Sequence, residues 1–212
     1  MSGPSPLTID IVSDVVCPWC YLGKANLEKA LAEYKEPVIV RWHPFQLDPT
    51  IPSEGLDRKA YMAKKFPDPS YLKNAHERLQ SLGDAIGLKF DFEAIAKSPN
   101  TLDAHRLIQW VEDPDQQDKI VTALFKAYFE QGRDIGDKTL LMEIAVENGF
   151  EREEIEDRLS GKDDIDSVQA EIEEAQRIGV TGVPFFIFNR KLAASGAQPP
   201  EQLLAAMRQA QA

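Results

Sequence analysis

The chain has almost no cysteine, almost no histidine and no long apolar run. Two cysteines in 212 residues rule out a disulfide-stapled scaffold, because one two-residue loop barely constrains the unfolded chain. His43, His76 and His105 stand apart from one another and offer no second ligand pair for a structural zinc site, which needs four ligands. The longest uncharged stretch, Ile178 to Asn189, is twelve residues and contains Gly182 and Pro184. A membrane span needs about 20 apolar residues, so none is expected. Basic residues are also scarce: 24 Lys and Arg face 35 Asp and Glu, a net charge of −11 with no Lys/Arg run. Such a surface repels a phosphate backbone and argues against nucleic acid. Met1 to Pro6 show no basic region and no apolar run, so no signal peptide is expected and the expected compartment is the reducing cytosol. What remains, 43% hydrophobic and 28% charged residues, is an ordinary globular composition.

The whole cysteine inventory is one motif, Cys17-Pro18-Trp19-Cys20. Random placement would put two cysteines three apart about once in a hundred trials, so the spacing carries information. A redox pair, half a metal site and chance are the available readings, and the surroundings favour redox. Leu7 to Val12 is β-branched and partly alternating, as a strand requires. After the motif, Leu22, Leu27, Ala30, Leu31 and Tyr34 recur at near-helical spacing until Pro37, and Val38 to Trp42 is again strand-like. The pair therefore sits where a strand hands over to a helix inside a β-α-β unit. Pro18 suits the first helical turn, where its missing N–H had no partner to lose. Unpaired N–H groups at that helix start stabilise a thiolate on Cys17, while Cys20, one turn in, is shielded and serves as the resolving thiol. Pro18 and Trp19 between them help to set thiolate stability. Trp19 is equally readable as a plain core aromatic.

Five segments together resemble the DsbA-like thioredoxin-fold oxidoreductases, in their FrnE-type branch. They are Ser13 to Gly23, Trp42 to Pro49, Asn100 to Arg106, Gly179 to Phe186 and Ser195 to Gln198, in order along the chain. The resemblance implies a thioredoxin fold split by a helical domain. It also implies a cis Pro184 beside the dithiol, with Val183 offering backbone hydrogen bonds to an extended substrate. Without it, Pro184 reads as an ordinary trans strand-edge proline, since only about 5–6% of X–Pro bonds are cis.

Read by periodicity, the middle of the chain is almost wholly helical. Helices are expected over Leu56 to Lys65, Ser70 to Ile86, a segment capped by Thr101 and closed by Pro114, one around Ile120 to Phe129, one opened by Asp137, and Glu151 to Leu159. Asp166 to Ile178 is a further helix. Phe185 to Phe188 and Lys191 to Ala194 form a hairpin about Asn189-Arg190, and a last helix starts at Pro199/Pro200. The order is β-α-β, helices, then α-β-β-α, an α/β thioredoxin core interrupted by an all-helical insertion. The expected division is 1–50, 51–160 and 161–212, the middle piece being the insertion.

His105 lies in the insertion motif and is a candidate to face the dithiol cleft, against the plainer reading of a structural helix histidine. Asn100 either caps that helix or positions substrate, and capping is the simpler role. His43 reads as structural and His76 as solvent-exposed on a charged helix face. No P-loop, dinucleotide fingerprint, nucleophile elbow or metalloprotease helix occurs, so no metal and no cofactor beyond the dithiol is expected, with glutathione a candidate co-substrate. The leading function is a thiol–disulfide oxidoreductase or isomerase acting on a protein or small-molecule partner. One alternative is a glutathione-dependent isomerase or transferase. The 2-hydroxychromene-2-carboxylate isomerases and kappa-class glutathione transferases share the split fold but usually lack the full cysteine pair. The other is a chaperone-like binding module built on Trp19, Val183 and the Phe185/Phe186 neighbourhood.

Overall fold

The computed structural model describes residues 5–212; the rest of the N-terminal stretch read for a leader, residues 1–4, lies outside them. The chain starts as β1 (Leu7–Ser13), α1 (Pro18–Glu33) and β2 (Val38–Pro44), and ends as α8 (Ile165–Arg177), β5 (Phe185–Phe188), β6 (Leu192–Ser195) and α9 (Pro200–Gln211). These two ends build one four-stranded sheet in the order β2-β1-β5-β6. β1 runs parallel to β2, from Leu7 against Val38 to Ser13 against Pro44, and antiparallel to β5, with Ile11 opposite Phe186. The β5–β6 turn is Asn189-Arg190, both at positive φ (48° and 56°), the two-residue geometry whose twist suits a tight hairpin.

Alternation along β1 sorts its neighbours. Leu7, Ile9 and Ile11 are buried in the main core with Leu22 and Leu27 of α1 and Leu203 and Met207 of α9. Val12 faces the other way, into a smaller cluster with Phe45, Ala175 and Val180. Between β2 and α8 lie β3 (Leu56–Asp57), α2 (Arg58–Lys65), α3 (Pro69–Asp84), β4 (Lys97–Ser98), α4 (Leu102–Gln109), α5 (Pro114–Phe129), α6 (Lys138–Glu147) and α7 (Arg152–Ser160).

Three local expectations are corrected here. The intervening region is not all helix: Leu56–Asp57 pairs antiparallel with Lys97–Ser98, and Asp57 caps α2 by accepting the Ala60 N–H at 2.8 Å. Two-residue strands carry no periodicity for a sequence to display. Pro114 opens α5 instead of closing α4, because Asp113 accepts the Gln116 N–H at 2.8 Å and Pro114 takes the first helical position. Thr101 precedes α4 without capping it by its side chain. Asn100 Oδ1 accepts the Leu102 N–H at 2.9 Å instead.

The helices between β2 and α8 are fastened to the sheet by aromatic and ionic contacts. Tyr21 of α1 stacks on Phe125 at 5.1 Å, and Phe90, Phe92 and Phe129 continue the cluster. Such pairs contribute about 0.5–1.5 kcal/mol each beyond their buried area. Lys24, almost fully buried on α1, donates to Asp118 of α5 at 2.9 Å, and Trp42 Nε1 reaches the other oxygen of Asp118 at 3.1 Å. Arg106 of α4 is 2% exposed. Its guanidinium donates to Asp103 and Asp164 at 2.7 Å and to the carbonyls of Arg158 and Gly161 at 2.7 and 2.8 Å. It thereby joins α4 to the end of α7 and the start of α8.

Removing one partner of such a network strands the others without compensation. Arg106→Leu is expected to lower unfolding stability by about 3–5 kcal/mol in urea titration. Arg177→Leu, which breaks an exposed pair with Glu174, is expected to leave the midpoint in place. Equal midpoints for the two variants would refute the fastening role.

Candidate active site

At the end of β1 the chain turns through Asp14-Val15-Val16 and enters α1 at Cys17. The turn is closed by the Cys17 N–H donating to Asp14 O at 2.9 Å. Cys17 has extended backbone angles (φ −91°, ψ 112°) and is the residue that caps α1, with Pro18 next. Its thiol makes no capping bond. The sulfur lies instead 3.6 Å from the carbonyl oxygen of Val183. Both cysteines are free thiols, Cys17 4% exposed and Cys20 fully buried. Burial pushes the Cys20 thiol well above its ordinary pKa, and adjacent Cys17 pushes it the same way. The Ser13 side chain and the Asp14 backbone pull it down, without offsetting that rise.

The Val183–Pro184 peptide is cis. Gly23, on the second turn of α1, leaves space for this loop. A Cβ there would lie 3.0 Å from Pro184 Cγ and 3.3 Å from Phe186 Cζ, tighter than ordinary contact.

In front of Cys17 a cavity of about 330 Å³ runs between the motif and the helices α2 and α3. Asp14, Cys17, Pro18, Trp19, Gly182 and Val183 form one wall; Ile51, Met62, Phe66, Leu72 and Leu79 give an apolar opposite side. Arg58 and Lys65 supply positive charge at this site. Arg58 donates to the Tyr128 hydroxyl at 2.9 Å, and Lys65 to that of Tyr61 at 2.8 Å. Volume and lining match a site for a small ligand or an inserted side chain.

Of the residues singled out in sequence, Cys17, Pro18, Trp19 and Val183 share this cavity, and Pro184 adjoins it. Trp19 packs against the main core, as its reading as a core aromatic had it, and also lines the cavity, with the Arg78 guanidinium 5.6 Å from its ring. Asn100 is committed to structure, donating to Ile51 O at 2.6 Å while it accepts from Leu102. His105 does not line the cavity of Cys17. It lies behind Asp14, with Nε2 3.4 Å from Asp14 Oδ1, out of line for a hydrogen bond. His76 is half-buried, contrary to expectation, because its ring stacks on Phe92 at 4.0 Å, and this burial lowers its pKa.

Asp14 is the residue that sequence reasoning passed over. It is 1% exposed and accepts the Leu47 N–H at 2.7 Å, so it pins the loop after β2 against the motif. An acid directly after a strand and three residues before a CxxC was the available signal. Among the described residues, no three or more His, Cys, Asp or Glu side chains converge as a metal site.

The profile of the DSBA-like thioredoxin domain matches residues 8–208, nearly the whole chain. The chain belongs to this family. A probable DsbA oxidoreductase from Streptomyces coelicolor, SCO1869, superposes with a TM-score of 0.88 at 32% identity, over 96% of this chain and 89% of that one. A 2-hydroxychromene-2-carboxylate isomerase follows at 0.75 and 18% identity, covering 95% of each chain. The cytosolic disulfide reductase DsbM of Pseudomonas aeruginosa, solved with GSH, gives 0.63 at 18% identity, over 95% of this chain and 98% of that one. For the last two the likeness is one of fold. It fits a DsbA-type α/β architecture whose sheet comes from the two ends of the chain.

Behind the sheet, His43 is held by Asp10 at 2.9 Å and Glu171 at 3.6 Å, joining β1, β2 and α8. Burial lowers its pKa, but the bonds to Asp10 and Glu171 outweigh that and raise it to about 9, from an ordinary 6.5. A raised folded-state pKa adds stability that is complete below the unfolded value and is lost as pH rises through the folded one. The His43 side chain is 37% exposed, so solvent screening reduces the contribution to about 1 kcal/mol. Wild type is expected to exceed His43→Gln by that margin in denaturant titration near pH 6, with the gap closed by pH 10. A gap independent of pH would contradict this account.

Proposed function

We propose that this DSBA-family protein is a thiol–disulfide oxidoreductase whose only redox group is the Cys17–Cys20 pair. The observation that carries the reading is the placement of the two sulfurs: Cys17 at the start of α1, on the cavity and 3.6 Å from Val183 O, with Cys20 sealed behind it. In the reducing direction, Cys17 thiolate attacks one sulfur of a substrate disulfide, the S–S bond breaks, and one substrate thiolate leaves. Cys20 then loses its proton and attacks the Cys17 sulfur. The Cys17–Cys20 bond forms, the second substrate thiolate departs and takes up a proton, and two electrons have passed to the substrate. The reverse sequence oxidises a dithiol. Pro18 and Trp19 shape the approach to Cys17, and Val183 presents its backbone to the partner.

The partner is a disulfide or thiol, carried on a protein segment or a small molecule, and glutathione is the candidate small thiol. Two things support glutathione: the cavity size with Arg58 beside it to receive a carboxylate, and the fold shared with a disulfide reductase solved with GSH. No helix of the described residues is long and apolar enough to cross a membrane. The reducing cytosol is the compartment proposed, and nucleic acid is not among the partners proposed. The apolar side of the cavity also favours a second reading, a glutathione-dependent isomerase or transferase acting on a small apolar substrate. Cys20→Ser separates the two: a dithiol couple loses turnover, whereas conjugation or isomerisation at Cys17 survives.

Equilibration across glutathione redox buffers, followed by alkylation and mass measurement, tests the main reading. Cys17 and Cys20 are expected to change together in one two-electron step. A midpoint near about −120 mV marks an oxidant and one near about −270 mV a reductant. Thiols that stay free throughout, or only a glutathione adduct on Cys17, would exclude the couple.

A further inference from the structure

A second cavity, of about 200 Å³, lies on the other side of the motif and shares no lining residue with the first. The end of β1 and the turn after it alternate between the two: Asp14 and Val16 line the front cavity, Ser13 and Val15 the rear one. His105 and Gln117 form more of the rear wall, and its outer part is polar, with Arg41, His43 and Glu171. Two polar atoms inside this wall have no hydrogen-bond partner among the described residues, Ser13 Oγ and His105 Nε2. Both residues are more than nine-tenths buried, at 4% and 3% exposure. An unpartnered buried polar atom is costly, so two on one polar cavity call for an explanation.

Cys20 supplies it. The Ser13 hydroxyl lies beside the Cys20 thiol and favours its thiolate, although it completes no hydrogen bond in this geometry. Asp14 Oδ2 accepts the Leu47 N–H at 2.7 Å, and its Oδ1 lies 3.4 Å from His105 Nε2. The front cavity is where substrate would sit, so a proton leaving Cys20 while substrate is bound needs another way out. We propose that the rear cavity is the proton exit of the resolving thiol, with the Ser13 hydroxyl as first acceptor and the His105 ring as the group that passes the proton to solvent.

The proposal rests on the dithiol reading. As Cys20 attacks the Cys17 sulfur, its S–H bond breaks and the proton moves to Ser13 Oγ while the Ser13 hydroxyl proton moves on toward His105 and the cavity. The departing substrate thiolate takes a proton from solvent on the front side, so no net proton is gained or lost. A hydroxyl suits the first position because it donates and accepts at once. A histidine suits the second because one ring nitrogen can accept a proton while the other donates one. The charged or titratable groups facing His105 and the rear cavity are Asp14 from the turn, Arg41 and His43 from β2, Glu112 after α4 and Glu171 from α8; α5 contributes only the neutral Gln117.

Dithiobis(2-nitrobenzoate) separates the two chemical steps. Attack by Cys17 releases one coloured thiolate, and resolution by Cys20 releases a second. Ser13→Ala and His105→Gln are each expected to leave the first release unchanged and to slow the second about tenfold or more at pH 7. The deficit should shrink as pH rises and hydroxide takes the proton directly, and Ser13→Thr, which keeps the hydroxyl, should restore the rate. A second release at the wild-type rate in both variants would overturn the proton exit alone. A slowing of equal size at every pH would overturn it too, by marking a structural effect. Wild-type protein that gives no second release would overturn the dithiol reading and the exit with it.

Discussion

A guanidinium almost without contact with water holds the long excursion of the chain closed. Between β2 and α8 the backbone leaves the sheet, builds six helices and a small ribbon among the described residues, and must return in register for β5 to pair with β1. Arg106 closes that excursion by binding Asp103 on its own helix, two carbonyls at the end of α7, and Asp164 at the entrance of α8. Trp110 covers the network, with its ring 5.4 Å from Arg106 and its indole N–H bonded to Asp164. A buried charge of this kind is costly unless every donor is matched, and here the partners come from three separate segments. That geometry brings α8 down on β2 and leads the chain toward the cis Val183–Pro184 bond opposite Cys17.

The dithiol is therefore assembled from both ends of the sequence. β1 and α1 supply Cys17 and Cys20, the loop before β5 supplies Val183 and Pro184, and Gly23 keeps the two close enough to touch. The helices in between add what the sheet lacks, a partly apolar wall with positive charge facing Cys17. Each sulfur accordingly has a different environment. Cys17 faces the cavity in front of the motif, and Cys20 is buried in the core with Ser13 beside it.

Much of this was legible because it is local. The strand-to-helix handover at the motif, the hairpin at Asn189-Arg190 and the helix start at Asp137 depend on residues within a few positions of one another, and composition and spacing record such relations directly. Where local signs misled, a partner distant in sequence had intervened. Thr101 did not cap α4 because its hydroxyl lies beside Gln46, leaving Asn100 to take the Leu102 N–H. His76 was not exposed because Phe92, sixteen positions away, supplies a ring to stack on.

By itself the sequence determined a single CxxC at a helix start, an acidic surface, and an order of strands and helices that admits a thioredoxin sheet with a helical interruption. Only the tertiary structure decided which faces those thiols see. Burial of Cys20, the approach of Val183 to Cys17, the wall contributed by α2 and α3, and the placing of His105 behind Asp14 all arise between residues tens to more than a hundred positions apart. Proximity of that kind leaves no period or spacing in a chain, because it is set by which apolar faces must meet once the helices and strands have formed.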